Sequence, residues 1–275
     1  RGLATHVSPQ AVERAIEENP DITAMIITNP DYYGLSPRLM EIRDVLIKRD
    51  IKLLVDEAHG SHLIFHPDLP PSASQCGADI WVQSAHKTLP SLTQSSYLHV
   101  GNGSGIIDLK YIDKVSQVHR IMQSTSPSYL LMASLDWARA YMEEEGKESL
   151  DKLLEHLSWA RRELRALGID TMENYKRPEV LQTDATRLVL DVTNLGLTGF
   201  EGEEILRRAG VQVEMSDYRR LVLVCTIADK IEDYQKLVEA CRLLSQEKGK
   251  YKENIKKMTI SREIPMQMLS PKEAF

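Results

Sequence analysis

A carboxylate and a lysine each close a short apolar run in this chain. Ile51-Lys52-Leu53-Leu54-Val55 ends in Asp56-Glu57-Ala58-His59-Gly60, and Ala78-Asp79-Ile80-Trp81-Val82-Gln83 ends in Ser84-Ala85-His86-Lys87-Thr88. Short apolar runs bounded by turn residues read as buried strands. If the two strands are parallel neighbours, Asp56 and Lys87 meet at the carboxyl edge of one sheet, where open α/β sheets bind their ligands. A lysine amine condenses with carbonyls. A sheltered carboxylate holds a proton on a nearby nitrogen through a charge-assisted hydrogen bond. Each residue alone has a plainer reading: a solvated lysine, and an aspartate that caps the next helix. Their coincidence at neighbouring strand ends favours chemistry.

That chemistry matches pyridoxal 5'-phosphate, which needs a lysine for its Schiff base and an acid beside its pyridinium nitrogen. On this reading Lys87 holds the cofactor and later moves protons at the substrate carbon, and Asp56 keeps the ring nitrogen protonated. Ser84 and His86 flank the lysine and are candidates for the phosphate. Ala58 is small enough for a ring to lie against it, and His59 is a candidate hydrogen-bond partner for cofactor or substrate. Asn29-Pro30, with Tyr32 and Tyr33 behind it, either adds polar groups to the same rim or forms a simple turn.

Two other patterns compete for these residues. Asp56-Glu57-Ala58-His59 spells the motif of DEAH-box helicases, but that chemistry needs a G-x-x-x-x-G-K-[ST] phosphate loop. Gly146-Lys147-Glu148 and Gly249-Lys250-Tyr251 lack its spacing and its hydroxyl. His59, His62 and His66 have spacings that suit metal ligands on a helix, yet Gly60 and Pro67 argue against a continuous helix there. No metal is expected.

The surrounding elements must position the pair. Helix is expected over 9–18 with Pro9 in its first turn, strand over 22–28, and helix to about Arg49 after a Ser36 cap. The strand 51–55, a short helix near 72–77, and strands 79–83 and 95–100 follow, the last ended by 101–105. Such alternation predicts a parallel sheet covered on both faces. Apolar residues at helical spacing predict helices over 108–120, 128–144 and 148–167. A smaller lobe is expected from strands 187–191, 211–214 and 221–226 with helices 200–209 and 230–246. The division is residues 1–145 as the later part of a cofactor-binding major domain, 146–246 as a helix plus small α/β lobe, and 247–275 as linker.

The bulk numbers bound the rest. With 34 basic and 40 acidic side chains the net charge is −6, which gives no electrostatic reason to bind nucleic acid. Cys76, Cys225 and Cys241 show no paired spacing and read as reduced thiols in the cytoplasm. No apolar stretch has the length of a membrane span. The start at Arg1 and the helix-like close at Ser270-Pro271 suggest a fragment.

From Val55 to His62, and through Gly77-Ala78-Asp79-Ile80 and Gln83-Ser84-Ala85-His86-Lys87-Thr88-Leu89, the chain resembles the bacterial-type ornithine/lysine/arginine decarboxylases, fold-type I enzymes of pyridoxal phosphate. The likeness continues through Leu92–Ser96, Gln123–Tyr129, Gly196–Gly202 and Leu269–Phe275. It implies that Lys87 is the Schiff-base lysine and Asp56 the pyridinium partner, with Ser84 and His86 at the phosphate and His59 near the ring substituents. It implies α-decarboxylation of a basic amino acid to a polyamine precursor by a homodimer or larger assembly, in which Ser124–Ser126 reach a neighbouring subunit's cofactor. It also implies an N-terminal half and a C-terminal domain outside residues 1–275, so the isolated chain is expected to be inactive unless complemented. The rivals are an aminotransferase or aldolase on the same two residues, with Arg187 or Arg219 reading the substrate carboxylate, and a catalytically silent scaffold.

Overall fold

The computed structural model describes residues 3, 5–101, 109–123, 126–173, 175, 177–246, 268 and 273. The opening helix forms for local reasons. Ser8 Oγ accepts the Ala11 N–H at 3.2 Å, Pro9 stands in the first turn, and α1 (Pro9–Glu18) buries Val12 and Ile16. Then come β1 (Ala24–Thr28), β2 (Leu35–Pro37), α2 (Leu39–Ile47), β3 (Lys52–Asp56), β4 (Ile80–Gln83), the single turn α3 (Ala85–Thr88) and β5 (Tyr97–Val100).

The main sheet has the order β1-β3-β4-β5. β1, β3 and β4 run parallel, with Thr28 opposite Asp56 and Asp56 opposite Val82. β5 returns antiparallel to β4, because the short segment 89–96 reverses the chain without a crossover helix. One face of the sheet carries Ile27, Leu53 and Val55, which pack with Val12, Ile16, Ile42 and Leu46 of α1 and α2. The other face shows Ile26 (72% exposed), Val82 and Leu98 to solvent among the described residues, so the two-sided cover expected from the alternation is present on one side. Asp79 ties the sheet's lower end: its Oδ2 accepts the Leu53 N–H at 2.8 Å and meets Arg43 at 3.2 Å, both side chains buried.

The helices α4 (Leu109–Met122), α5 (Tyr129–Glu144) and α6 (Gly146–Ala166) follow. Beyond them are β6 (Val180–Thr183), β7 (Arg187–Asp191), α7 (Gly199–Arg208), β8 (Met215–Ser216), β9 (Arg220–Val224) and α8 (Ile231–Gln246). β7, β9 and β8 form an antiparallel sheet. Its buried Leu188, Leu190 and Leu221 join Leu157 and Leu164 of α6, Leu206 of α7 and Leu237 and Leu244 of α8 in one cluster. That cluster also takes in Leu63, Ala85, Leu89 and Ala138, so the turn bearing Lys87 is packed from the small-sheet side.

Three local readings give way to longer-range packing. Ser36 caps nothing, because Leu35–Pro37 pairs antiparallel with β6, a strand with no strong sequence signature, and α2 starts later. Residues 72–77 make turns instead of a helix, with the Asp79 N–H bonded back to the Leu53 carbonyl. The expected strand at 211–214 forms at Met215–Ser216, where it pairs with β9.

Local chemistry does decide the start of α7. Thr198 and Glu201 make a reciprocal capping box, and a Cβ on Gly199 would stand 2.1 Å from the Asp217 carbonyl oxygen and 2.4 Å from that of Arg220. Gly199→Ala should therefore cost roughly 3 kcal/mol through overpacking. The measurement is the urea unfolding midpoint, and an unchanged midpoint would mean that the β8–β9 turn yields instead.

Candidate active site

Parallel pairing puts the carboxyl ends of β1, β3 and β4 in one row, and the cleft lies along it. The cavity has a volume of about 680 Å³, and Asp56, Ala58, His59 and Lys87 line it together with Thr28, Pro30, Asp31 and Tyr32. The expected neighbourhood of Asp56 and Lys87 is thus present in space. Asp56 Oδ1 accepts the Ala58 N–H at 3.0 Å, an Asx-type turn that orients the exposed carboxylate. Lys87 Nζ lies 3.2 Å from His59 Nε2.

Ser84 and His86 stand at the opening of α3 but do not line that cavity. His86 Nδ1 is 2.8 Å from the Ser95 carbonyl oxygen, a contact that needs a proton on Nδ1. The three histidines with metal-like spacing have separate partners. His59 meets Arg187 and Lys87, His62 meets Asp184 and Thr186, and His66 meets Asp151 at 2.8 Å. Ser124 and Thr125, proposed to reach a neighbouring cofactor, and the tail from Glu247 apart from Met268 and Glu273 lie outside the described residues.

Behind the cleft sits a carboxylate that sequence reasoning did not single out. Glu57 is fully buried; its Oε1 accepts the Ala73 N–H at 2.6 Å and Asn29 Nδ2 at 3.1 Å, and its Oε2 accepts Gln83 Nε2 at 2.7 Å. Asn29 also donates to the Pro71 carbonyl at 3.1 Å, so this residue belongs to the support and not to the rim. Burial raises the Glu57 carboxyl to about 7, against the pull of the Ala73, Gln83 and Asn29 donors. The signal was available: Asp56 and Glu57 are consecutive in a strand end, and successive side chains point to opposite faces.

A second missed group enters from the small sheet. Arg187, 2% exposed at the start of β7, donates from Nη2 to His59 Nδ1 at 3.1 Å. Gly34 has φ +81, and a Cβ there would come within 2.6 Å of Arg187 Cβ, so only glycine fits that turn. Beside it, burial pushes the Asp184 carboxyl up, but His62 at 3.2 Å, Arg187 and the Thr186 hydroxyl at 2.8 Å together hold it down at about 2. The Tyr32 ring meets His59 edge-on at 4.8 Å while its hydroxyl bonds Glu214, and the Tyr33 hydroxyl donates to Asp217 at 2.8 Å. His59 is held down at about 4 by burial, then by the positive charges of Arg187 and Lys87, so its ring is neutral near pH 7.

An amine, an oriented carboxylate, the Ala58 methyl group and a neutral imidazole thus line one cleft. Comparison with known proteins gives the family. Residues 2–190 match the family model for the Orn/Lys/Arg decarboxylase major domain, and the chain belongs to that family. The arginine decarboxylase of Bacillus subtilis (strain 168) is 34% identical over 279 residues, covering all of this chain and 56% of the relative. The chain therefore spans about half the length of the curated relatives it matches. Among solved structures, the Francisella novicida lysine decarboxylase LdcF superimposes with a TM-score of 0.71 at 23% identity, over 87% of this chain and 39% of that one. Pyridoxamine-pyruvate aminotransferase from Mesorhizobium loti reaches 0.66 at 16% identity, over 88% and 64%. The fold is thus shared between decarboxylases and aminotransferases.

Glu57 makes stability depend on pH in a direction that can be checked. Its folded value, about 7, lies above the ordinary 4.5, so the folded state holds the proton more tightly between those values. The contribution is fully present below pH 4.5 and is lost as pH rises through 7. At roughly 1.4 kcal/mol per unit, wild type should lose about 3 kcal/mol relative to Glu57→Gln across that window. Urea melts of both proteins at several pH values test it; parallel curves would show that the carboxyl titrates normally.

Proposed function

We infer that this protein carries the Asp56–Lys87 half of a pyridoxal phosphate site that decarboxylates a basic amino acid, with arginine as the substrate. The observation that carries this reading is the placement of Asp56 at the end of β3 and of Lys87 just past the end of the adjacent parallel β4, on one cleft with Ala58 and His59. Pyridoxal phosphate, when bound, supplies an aldehyde for amines and a ring that accepts the electron pair left by carbon dioxide. Lys87 Nζ is the amine that would hold the cofactor's aldehyde carbon and would move a proton at the substrate carbon. Asp56, its carboxylate oriented by the Ala58 N–H, keeps the proton on the ring nitrogen. Ala58 offers a flat wall, and the neutral His59 ring steadies the lysine amine from the side. Ser84 and His86 are the groups proposed for the phosphate.

Arginine is preferred on the strength of relatives. The B. subtilis arginine decarboxylase matches the whole chain at 34% identity, whereas the lysine decarboxylase LdcA of Pseudomonas aeruginosa matches 54% of it at 29%. The aminotransferase reading lacks support from the two arginines that would serve it. Arg187 donates from Nη2 to His59 and is buried outside the cleft lining, and Arg219 Nη2 is held by Asp191 at 3.3 Å and Thr193 at 3.0 Å. The working assembly is proposed to be a cytoplasmic homodimer or larger, in keeping with three buried free thiols.

Carbon dioxide release should be fastest from arginine when arginine, lysine, ornithine and a transamination control are compared. Equal rates, or keto-acid formation instead, would defeat the assignment. With pyridoxal phosphate added, Lys87→Ala should abolish the visible absorption band of the lysine-bound cofactor. Asp56→Ala should keep the band and lower turnover by about 100-fold or more. Near-normal turnover in Asp56→Ala would remove that residue's role.

A further inference from the structure

We propose that Arg187 is a positioning residue that locks His59 in the Nε2–H tautomer, so that the imidazole presents a donor to the Lys87 amine. The proposal deepens the decarboxylase reading but rests on hydrogen-bond bookkeeping that needs no cofactor. A guanidinium has donors and no acceptor, and it keeps its proton at any pH the protein survives. Its Nη2–H points at His59 Nδ1 across 3.1 Å, so Nδ1 must offer a lone pair. A neutral imidazole has one N–H, which then resides on Nε2. Nε2 faces Lys87 Nζ at 3.2 Å. An ammonium also has donors only, and two N–H groups would meet head-on. The contact is satisfied when the lysine nitrogen turns its lone pair toward His59, and that lone pair is what attacks a carbonyl.

The surroundings restrict both side chains to this arrangement. Arg187 is buried, its backbone carbonyl accepts Arg161 Nη2 at 3.1 Å, and Gly34 crowds its Cβ. Asp31 and Asp184 both feel the Arg187 charge, while its Nε and Nη1 have no hydrogen-bond partner, so Nη2 to His59 is the one side-chain hydrogen bond it makes among the described residues. The Tyr32 ring stands edge-on to His59, and Asp56 and Glu214 are the acids whose charge the ring feels. Burial, the largest cause, and the Arg187 charge work against those acids to keep the ring neutral beside an uncharged lysine amine. β7 therefore reaches the lysine through one intermediary ring, and neither strand order nor motif spacing reveals that link.

The test reads the tautomer directly by long-range 15N–1H correlation NMR of 15N-histidine-labelled full chain, without cofactor, with His59→Gln assigning the signal. Wild type near pH 7 should show His59 protonated at Nε2 and bare at Nδ1. Arg187→Met should lower the ratio of Nε2–H to Nδ1–H tautomer by about tenfold, as expected for loss of a charge-assisted bond. Lys87→Met should leave the wild-type tautomer in place, because the lock comes from the arginine side. An Nδ1–H or doubly protonated ring in wild type would overturn the proposal, with no variant needed. A tautomer unaffected by Arg187→Met, or lost in Lys87→Met, would overturn it as well. Failure of arginine decarboxylation would leave these spectra unchanged, so the two readings fall separately.

Discussion

Glu57 stands at the carboxyl ends of three parallel strands, sealed from solvent, and its two oxygens collect an N–H from each neighbouring element. Asn29 reaches it from the end of β1, Gln83 from the end of β4, and the Ala73 backbone from the loop between. A buried carboxyl without such donors would cost several kcal/mol. The strand ends, and with them Asp56 on the opposite side of the same chain segment, are fixed by the need to satisfy it. Alternation along β3 does the rest: the group that supports points inward, and the group that can react points to the cleft.

The small sheet completes the cleft from the other side. Its β7 brings Arg187 onto His59, Asp184 and Thr186 fasten His62, and Glu214 and Asp217 take the hydroxyls of Tyr32 and Tyr33. These contacts join a loop after β1, a loop after β3 and two strands from distant sequence. Arg187 and Asp184 are buried and Asp217 half-buried, where hydrogen-bonded partners are needed and solvent screening is weak, whereas Glu214 is exposed. His62, fixed between Asp184 and Thr186, keeps the loop from β3 pressed against the small sheet. That pressure positions His59, and through it the side chain of Lys87.

A shared fold carries more than one chemistry, and here a decarboxylase and an aminotransferase superimpose on the same elements. What separates the readings is local. An arginine that binds a substrate carboxylate must face the cleft with its donors available. Arg219 is committed to Asp191 and Thr193, and Arg187, whose Nε and Nη1 have no hydrogen-bond partner among the described residues, is buried and does not line the cleft. Lys87, Asp56 and His59 face the cleft, together with Asp31 and Tyr32.

The linear order of residues was sufficient to bring Asp56 and Lys87 to one cleft. Asp56 and Lys87 follow apolar runs of strand length, and neighbouring parallel strands can only bring such residues to one edge. The helices α1, α5, α6 and α8 were legible for the same kind of reason, because apolar spacing, joined at α1 and α5 by a serine cap, is a local signal. Pairing of Leu35–Pro37 with β6 was not legible, since it joins segments far apart and overrides a good local cap at Ser36. Nor was the reversal at β5, which depends on a loop too short for a crossover. Tertiary structure alone turned Glu57 into a buried support, set Arg187 behind His59, and gave each histidine its own partner. A hydrogen bond between residues 59 and 187 depends on how two sheets pack, and no pattern within either segment encodes that distance.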